Sequence, residues 1–345
     1  MHKSLLVAFI VAFIITFITT PFVKNLAFKI GAVDVPKDNR RMHKKPTARL
    51  GGLAIFLGFV ISAIVFADLN KEIIGMLIGC CVIVVLGVFD DIYALSAKLK
   101  LVVQIVAALC PVLAGVRIEF IKVPSLISEY GYIGLGWFAI PLTVIWIVGI
   151  TNAVNLLDGL DGLACGVSSI SALTLLVIAI IVGEGEVAFI TSALAGACFG
   201  FLPYNFNPAK LFMGDTGALF LGFILSTISV QGLFKGYAII SIATPILILG
   251  LPIFDTLSAI LRRVKNHQPI MSPDRGHLHH RLVDAGFSQK QAVLIIYLLC
   301  IVLCLGAIVL IATGAVSWWV FVAVLIGLIL FLKFTPKIIE SLSDK

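Results

Sequence analysis

Charge is what this sequence has least of. Asp, Glu, Lys and Arg make up only 12% of its 345 residues, about half the share of an ordinary globular chain. With 60% of residues hydrophobic and a mean hydropathy of +1.13, a soluble core is excluded, because one core could not hide that much apolar surface. A separate soluble domain has no room either, so residues 1–345 read as a single integral membrane domain. Metal-type C-x-x-C spacing is missing: Cys80, Cys81, Cys110, Cys165, Cys198, Cys300 and Cys304 all lie in or beside apolar runs and read as small packing residues. A signal-peptide pattern is missing too. The first apolar run, about Leu5–Val23, is too long for a signal core and lacks a small-residue cleavage site, so it reads as a retained helix.

What the sequence has in abundance is long apolar runs. Eleven can be marked, at about 4–23, 50–67, 73–89, 99–115, 137–154, 163–182, 187–203, 217–233, 237–257, 291–312 and 317–333. A bilayer core of ~30 Å takes ~20 helical residues, and backbone in hydrocarbon must satisfy its own hydrogen bonds. The expectation is an all-α polytopic membrane protein with about 11 transmembrane helices, in which Pro141, Pro203, Pro245 and Pro252 kink or end theirs. With the N-terminus outside, 20 of the 25 basic residues fall on the cytoplasmic side, as the positive-inside rule requires. The C-terminus is then cytoplasmic, and the expected location is the inner (cytoplasmic) membrane. Acids contribute little to orientation, yet Asp90, Asp91, Asp158, Asp161, Asp215 and Asp274 also fall inside, at helix mouths. The outer loop around 116–136, punctuated by glycines, could close as a small hairpin.

Five inner segments carry the chemistry. Gly87-Val88-Phe89-Asp90-Asp91 puts two adjacent carboxylates at a helix end, a costly arrangement unless a cation or proton offsets them. Asn152 to Gly162 packs Asn155, Asp158 and Asp161 around two Asp-Gly turns, oxygen-rich chemistry suited to Mg²⁺ and sugar hydroxyls. Tyr204 to Gly217 holds Asn205, Phe212 and Asp215: a hard ligand beside aromatics that stack on a base or anchor at the interface. Ser272-Pro273-Asp274-Arg275-Gly276-His277-Leu278-His279-His280-Arg281 could hold a pyrophosphate by charge-assisted bonds, or a transition metal. The nearby hard oxygens and the lack of cysteine argue against zinc. The basic segment through Lys45 and Arg49 serves either as an anchor on anionic lipid or as a phosphate contact. Together the five imply one site for a metal and a polyanion at the membrane surface.

These segments resemble the polyprenyl-phosphate N-acetylhexosamine-1-phosphate transferases (glycosyltransferase 4), the group that includes the MraY, WecA and TagO enzymes. The resemblance runs from His-Lys-Lys-Pro-Thr-Ala-Arg-Leu-Gly-Gly to Ser-Pro-Asp-Arg-Gly-His-Leu-His-His, nearly the whole chain. It implies transfer of a sugar-1-phosphate from a UDP-sugar to undecaprenyl phosphate, with UMP released and Mg²⁺ required (Mn²⁺ as a substitute). The basic segment and the His loop look like the WecA/TagO branch, which uses UDP-GlcNAc. The alternative is the phospho-MurNAc-pentapeptide transferase branch, which has three consecutive histidines where Leu278 interrupts them here. Some relatives carry Asp-Asp-x-x-Asp, and this chain has Ala94 at the third Asp.

The resemblance also implies roles. Asp215 is the main Mg²⁺ ligand, with Asp90 and Asp91 handling lipid phosphate or metal. Asn155, Asp158, Asp161 and Asn205 contact the nucleotide sugar, and Phe212 stacks on uracil. His277, His279 and His280 serve as pyrophosphate or catalytic contacts, with Arg275, Lys45 and Arg49 among the substrate-binding cations. Relatives suggest a homodimer, and no nucleic acid partner is expected. The expected step is in-line attack of the lipid phosphate on the β-phosphorus, with Asp90 as base; a covalent phospho-Asp is the alternative. A transporter is the rival class, but its ionisable residues would lie near the bilayer midplane, and here Gln104 is among the few strongly polar residues inside a span.

Overall fold

The computed structural model describes residues 2–35, 46–122, 132–234, 243–269 and 274–312. Lys45 and the expected last helix, 317–333, lie outside the described residues. Twelve α-helices follow one another among those described: α1 (His2–Ile30), α2 (Gly51–Phe66), α3 (Lys71–Tyr93), α4 (Ala97–Ala114), α5 (Ala139–Leu157), α6 (Leu163–Val182), α7 (Gly185–Asn205), α8 (Gly214–Phe234), α9 (Ala243–Ile248), α10 (Gly250–Lys265), α11 (Leu278–Asp284) and α12 (Gln289–Ala312). Seven of them, α1, α3 to α7 and α12, are long and apolar enough to cross a membrane. The chain is therefore an all-α polytopic membrane protein.

Local chemistry sets the helix ends. Asn70 opens α3 by accepting hydrogen bonds from the N–H groups of Glu72 (3.0 Å) and Ile73 (2.9 Å), two donors that a helix leaves unpaired. Gly115 and Gly183 close α4 and α6 in the left-handed region, at φ +116° and +80°, which costs glycine least. The outer loop forms the expected hairpin, β3 (Phe120–Lys122) against β4 (Tyr132–Gly134), with Ile121 opposite Ile133.

The single run expected at 237–257 is broken. α9 and α10 are separate helices meeting at Leu249, and Pro252 is the reason. Proline has no N–H to give the carbonyl four residues earlier, which is that of Ile248. Ser171 Oγ of α6 donates to that carbonyl instead, at 3.1 Å, a hydroxyl repair of the kind that lets membrane helices tolerate proline. Beyond the break, α10 is amphipathic: Asp255, Ala259 and Arg263 are buried while Leu257, Leu261 and Val264 are exposed.

At the centre stands α8, whose side chains from Thr216 to Gln231 are buried without exception. It packs against α2, α3, α5 and α6, and α1, α7 and α12 complete the bundle around these. Polar groups inside the bundle pair with one another. Gln104 of α4 and Asn152 of α5 exchange amide hydrogen bonds (2.7 and 3.3 Å), so both are spent on holding those two helices together.

Candidate active site

Asp90, Asp91, Asn155, Asp158, Asp215 and Arg49 converge on the N-terminus of α8. Three backbones meet there because glycines let them. A β-carbon on Gly87 would lie 2.3 Å from Thr216 Cα, and one on Gly52 would lie 2.0 Å from Gly217 N. No side chain fits at such distances, so α2, α3 and α8 touch main chain to main chain. This places Asp91, in the last turn of α3, over the start of α8. Its Oδ1 accepts the Asp215 N–H (2.9 Å), and its Oδ2 accepts both the Thr216 N–H (3.0 Å) and the Thr216 hydroxyl (2.7 Å). Asp91 is thus a cap supplied by one helix to another, with the negative charge at the positive end of the dipole.

Arg49 arrives by strand pairing. β1 (Val33–Asp34) runs antiparallel to β2 (Thr47–Ala48), and Arg49 then bridges Phe212 just ahead of α8. The Phe212 N–H donates to Ala48 O at 2.9 Å, and the Gly51 N–H to Phe212 O at 3.0 Å. The Arg49 guanidinium lies 3.5 Å from Asp91 and 4.0 Å from Asp215.

Asp215 stands in the first turn of α8. Its Oδ1 accepts from Asn155 Nδ2 (2.6 Å), its Oδ2 lies 4.0 Å from the Arg49 guanidinium, and its carboxyl also shares a hydrogen bond with that of Asp90. Asp90 accepts from the Leu95 N–H (2.8 Å) and is ion-paired with Lys100 at 2.7 Å. Asp158 terminates α5 half-buried, and no side chain among the described residues hydrogen-bonds its carboxylate. Burial, then the charges of Asp215 and Asp91, push its pKa up to about 7, with Arg49 offsetting only part of the rise.

A second group abuts this one. His277 is buried, with its Nδ1 2.8 Å from Asp255 Oδ2, and Asp255 Oδ1 accepts the Leu278 N–H at 2.8 Å. One carboxylate therefore fixes an imidazole and opens α11. The His279 ring lies against the α5–α6 turn, where a β-carbon on Gly159 would be 2.2 Å from Nε2. Glycine at 159 is required by that approach. His279 is 1% exposed, and neither ring nitrogen has a hydrogen-bond partner among the described residues. Burial, with repulsion from His280 and His277, pushes its pKa down to about 3. The ring is neutral at pH 7 and packs against the α5–α6 turn. His280 is partly buried, and its pKa is lowered by burial and by the neighbouring His277 and Arg275.

The structure brings Asp90, Asp91, Asn155, Asp158, Asp215 and Arg49 together and gives the other expected residues different surroundings. Asp161 accepts from Asn207 Nδ2 (3.1 Å) and the Ala209 N–H (2.9 Å), which fixes the loop before α8. Asn205 is buried and donates to Leu211 O. Arg275 is well exposed and 3.6 Å from Asp284, while Arg262 holds Asp274 at 2.8 Å. Three contributors escaped the sequence reading: Lys100, Thr216 and Asp255. Lys100 had a signal, one of two lysines (with Lys98) at the mouth of a helix shortly after the Asp pair, whereas Asp255 gives no local sign that it will face His277.

Among the described residues no three Asp, Glu, His or Cys side chains are arranged as a ready metal centre. The donor set nevertheless fits Mg²⁺, which is usually held by one or two carboxylates together with substrate phosphates. Asp215 and Asp158 are the carboxylates that would hold it. Asp91, expected as a ligand, already accepts three hydrogen bonds.

The glycosyl transferase family 4 profile matches residues 73–233, which span α3 to α8 and so most of this cluster. A Bacillus subtilis protein named "Probable undecaprenyl-phosphate N-acetylglucosaminyl 1-phosphate transferase" is 44% identical over 99% of this chain and 94% of its own length. The chain belongs to this family of transferases. Two further members are less similar. The decaprenyl-phosphate N-acetylglucosaminephosphotransferase of Mycolicibacterium smegmatis is 35% identical over 84% of this chain and 77% of its own. The phospho-N-acetylmuramoyl-pentapeptide-transferase of Moorella thermoacetica is 32% identical over 89% and 97%. Family membership covers both sugar types, and identity is higher to the N-acetylglucosaminyl members.

Proposed function

We propose that the chain transfers N-acetylglucosamine-1-phosphate from UDP-GlcNAc to undecaprenyl phosphate, giving undecaprenyl-diphosphate-GlcNAc and UMP at the cytoplasmic face of the membrane. The observation that carries the reading is Asp215: a carboxylate at a helix N-terminus, oriented by Asn155 through one oxygen, with Asp90 and Arg49 beside it. A bond forms between an acceptor phosphate oxygen and the donor β-phosphorus as the β-phosphorus–oxygen bond to UMP breaks. Such transfer depends mainly on positioning and charge stabilisation. Mg²⁺, held by Asp215 and Asp158, would supply neutralisation of the diphosphate.

The protein's own groups do the rest. Asn155 aims Asp215, and Asp91 pins the start of α8 so that Asp215 cannot swing away. Arg49 and Lys100 offer positive charge to phosphate, Lys100 while still paired with Asp90. The acceptor is already largely dianionic at neutral pH, its second pKa being ~6, so Asp90 has little proton to remove. Asp255 holds Nδ1 of His277 and leaves Nε2 to face the diphosphate. Twenty basic residues on the same side support the cytoplasmic placement.

The deciding experiment is a radiolabel transfer assay in proteoliposomes across several UDP-sugars. The reading requires Mg²⁺-dependent label in lipid from UDP-GlcNAc. Label only from UDP-MurNAc-pentapeptide would give the second branch of the family instead. Sugar-phosphate trapped on the protein without acceptor would replace the single step by a covalent one.

A further inference from the structure

Asp158 is held differently from the carboxylates around it. Asp90, Asp91 and Asp215 are each aimed by a hydrogen bond to the carboxylate itself, from the Leu95 N–H, the Thr216 hydroxyl and Asn155 Nδ2. The Asp158 carboxylate receives no such bond from a side chain among the described residues. Where its oxygens point is therefore decided by the backbone that carries it, the α5–α6 turn at residues 158–162.

That turn is gripped from α12. The Tyr297 hydroxyl donates to Gly162 O at 2.5 Å. The same carbonyl accepts the Gly166 N–H at 2.8 Å, so it already has the partner that α6 requires. The tyrosine bond is an addition, and what it fixes is the turn. Room has been made for it: a β-carbon on Gly166 would lie 1.8 Å from the Tyr297 oxygen, so any other residue there would push the ring away. A second hold comes from the first turn of α12. Gln289 Oε1 accepts from Asn207 Nδ2 (2.6 Å), which also donates to Asp161 Oδ2 (3.1 Å). At the other end of the turn, His279 of α11 lies against Gly159.

We propose that Tyr297 is a positioning residue, whose hydroxyl fixes the α5–α6 turn and through it the Asp158 carboxylate. This rests on Asp158 serving in the transfer site, as proposed above. The need for a tether follows from charge. Asp215 and Asp91 repel Asp158, and a loose turn would relieve that repulsion by carrying Asp158 away from the site. A hydroxyl bond from α12, which packs along α6, opposes the drift.

Tyr297→Phe keeps the ring and removes only the hydroxyl. Its kcat should fall about tenfold, less than the ~10²-fold that a 1 Å misplacement can cost. In substrate-free protein, hydrogen exchange read by mass spectrometry should quicken at the amides of residues 159–163 and stay unchanged in α8. The deciding arm is the Asp158→Asn background. There Tyr297→Phe should cost nothing further, since effects that pass through one group do not add. A role in bundle stability alone would cost as much in that background as in the wild type. Wild-type kcat or unchanged exchange in Tyr297→Phe, or a further loss of the same size beside Asp158→Asn, would overturn the proposal. Should Tyr297→Phe fail to insert, Gln289→Leu cuts the second hold instead. It must show the same pattern, a loss of kcat that vanishes beside Asp158→Asn, and wild-type kcat there overturns the proposal too. A failure of the transferase reading itself would look different: wild-type protein would release no UMP from UDP-GlcNAc, and the exchange result would still decide whether Tyr297 holds the turn.

Discussion

At the end of the bundle where α3 and α7 begin, polar groups are used up on one another. Asn70 caps α3 with its carbonyl oxygen and donates its amide to Glu186 in the first turn of α7. At the opposite end, where α3 stops and α8 starts, Asp90, Asp91, Asp158 and Asp215 gather against two cations, Arg49 and Lys100. A fold gains nothing from that excess of like charge, which burial makes more costly. The first arrangement is complete as it stands, while the second is complete only when a counter-charge enters. Sites where local consistency fails are where function is expected, and here the failure is confined to one end.

The sharpest way to test that contrast is Asp215→Asn. The substituted side chain can still accept from Asn155, so the geometry survives, but the negative charge is gone. Transfer, measured as UMP release, should fall by roughly 10³-fold, the scale lost with a key charge-stabilising group. The thermal midpoint in detergent should hold or rise, since one of four crowded carboxylates has been neutralised. Near-normal activity would remove Asp215 from the site.

Asp255→Asn comes next. The amide cannot hold the His277 ring as the carboxylate does, and misdirected imidazoles lose much of their effect. A roughly hundredfold drop in kcat is expected, with KM for UDP-GlcNAc nearly unchanged and the pH–rate profile altered. A loss seen only as lower thermal stability would make Asp255 a cap for α11 and nothing more.

The two ends were not equally legible in sequence. The Asp pair, the Asp-Gly turns and the Gly214-Asp215 step are local patterns, and the helices holding them are long apolar runs with clear periods. The break at Leu249 was foreshadowed by Pro252, but its repair by Ser171 depends on a contact 77 residues away. The partnership of Asp255 with His277 was hidden for the same reason. The His loop read as a set of pyrophosphate or catalytic contacts, and the burial that leaves His279 neutral is a property of packing that no spacing announces. Asp91 read as a handler of lipid phosphate or metal; what no spacing announced is that its neighbours in space are the first N–H groups of α8.

That difference gives the third prediction. Asp91→Asn turns an NH₂ towards donors that need an acceptor, at a side chain that is 7% exposed as a residue. Leaving buried donors unsatisfied costs about 1–3 kcal/mol. Asp91→Asn should therefore lower the thermal midpoint, whereas Asp215→Asn should not. If the two variants are equally stable, Asp91 is not the cap that the geometry describes.

The smallest effect belongs to the quiet end. Glu186→Gln keeps an oxygen able to accept from Asn70 Nδ2, and it removes only the charge from that bond. A charge-assisted hydrogen bond is stronger than a neutral one, yet the net difference at a half-exposed position is about 1 kcal/mol or less. The thermal midpoint should fall by a degree or two, and kcat and both KM values should match wild type. A tenfold loss of transfer would mean that the two ends communicate through α3 and α7, and the division between a finished end and an open one would have to be abandoned.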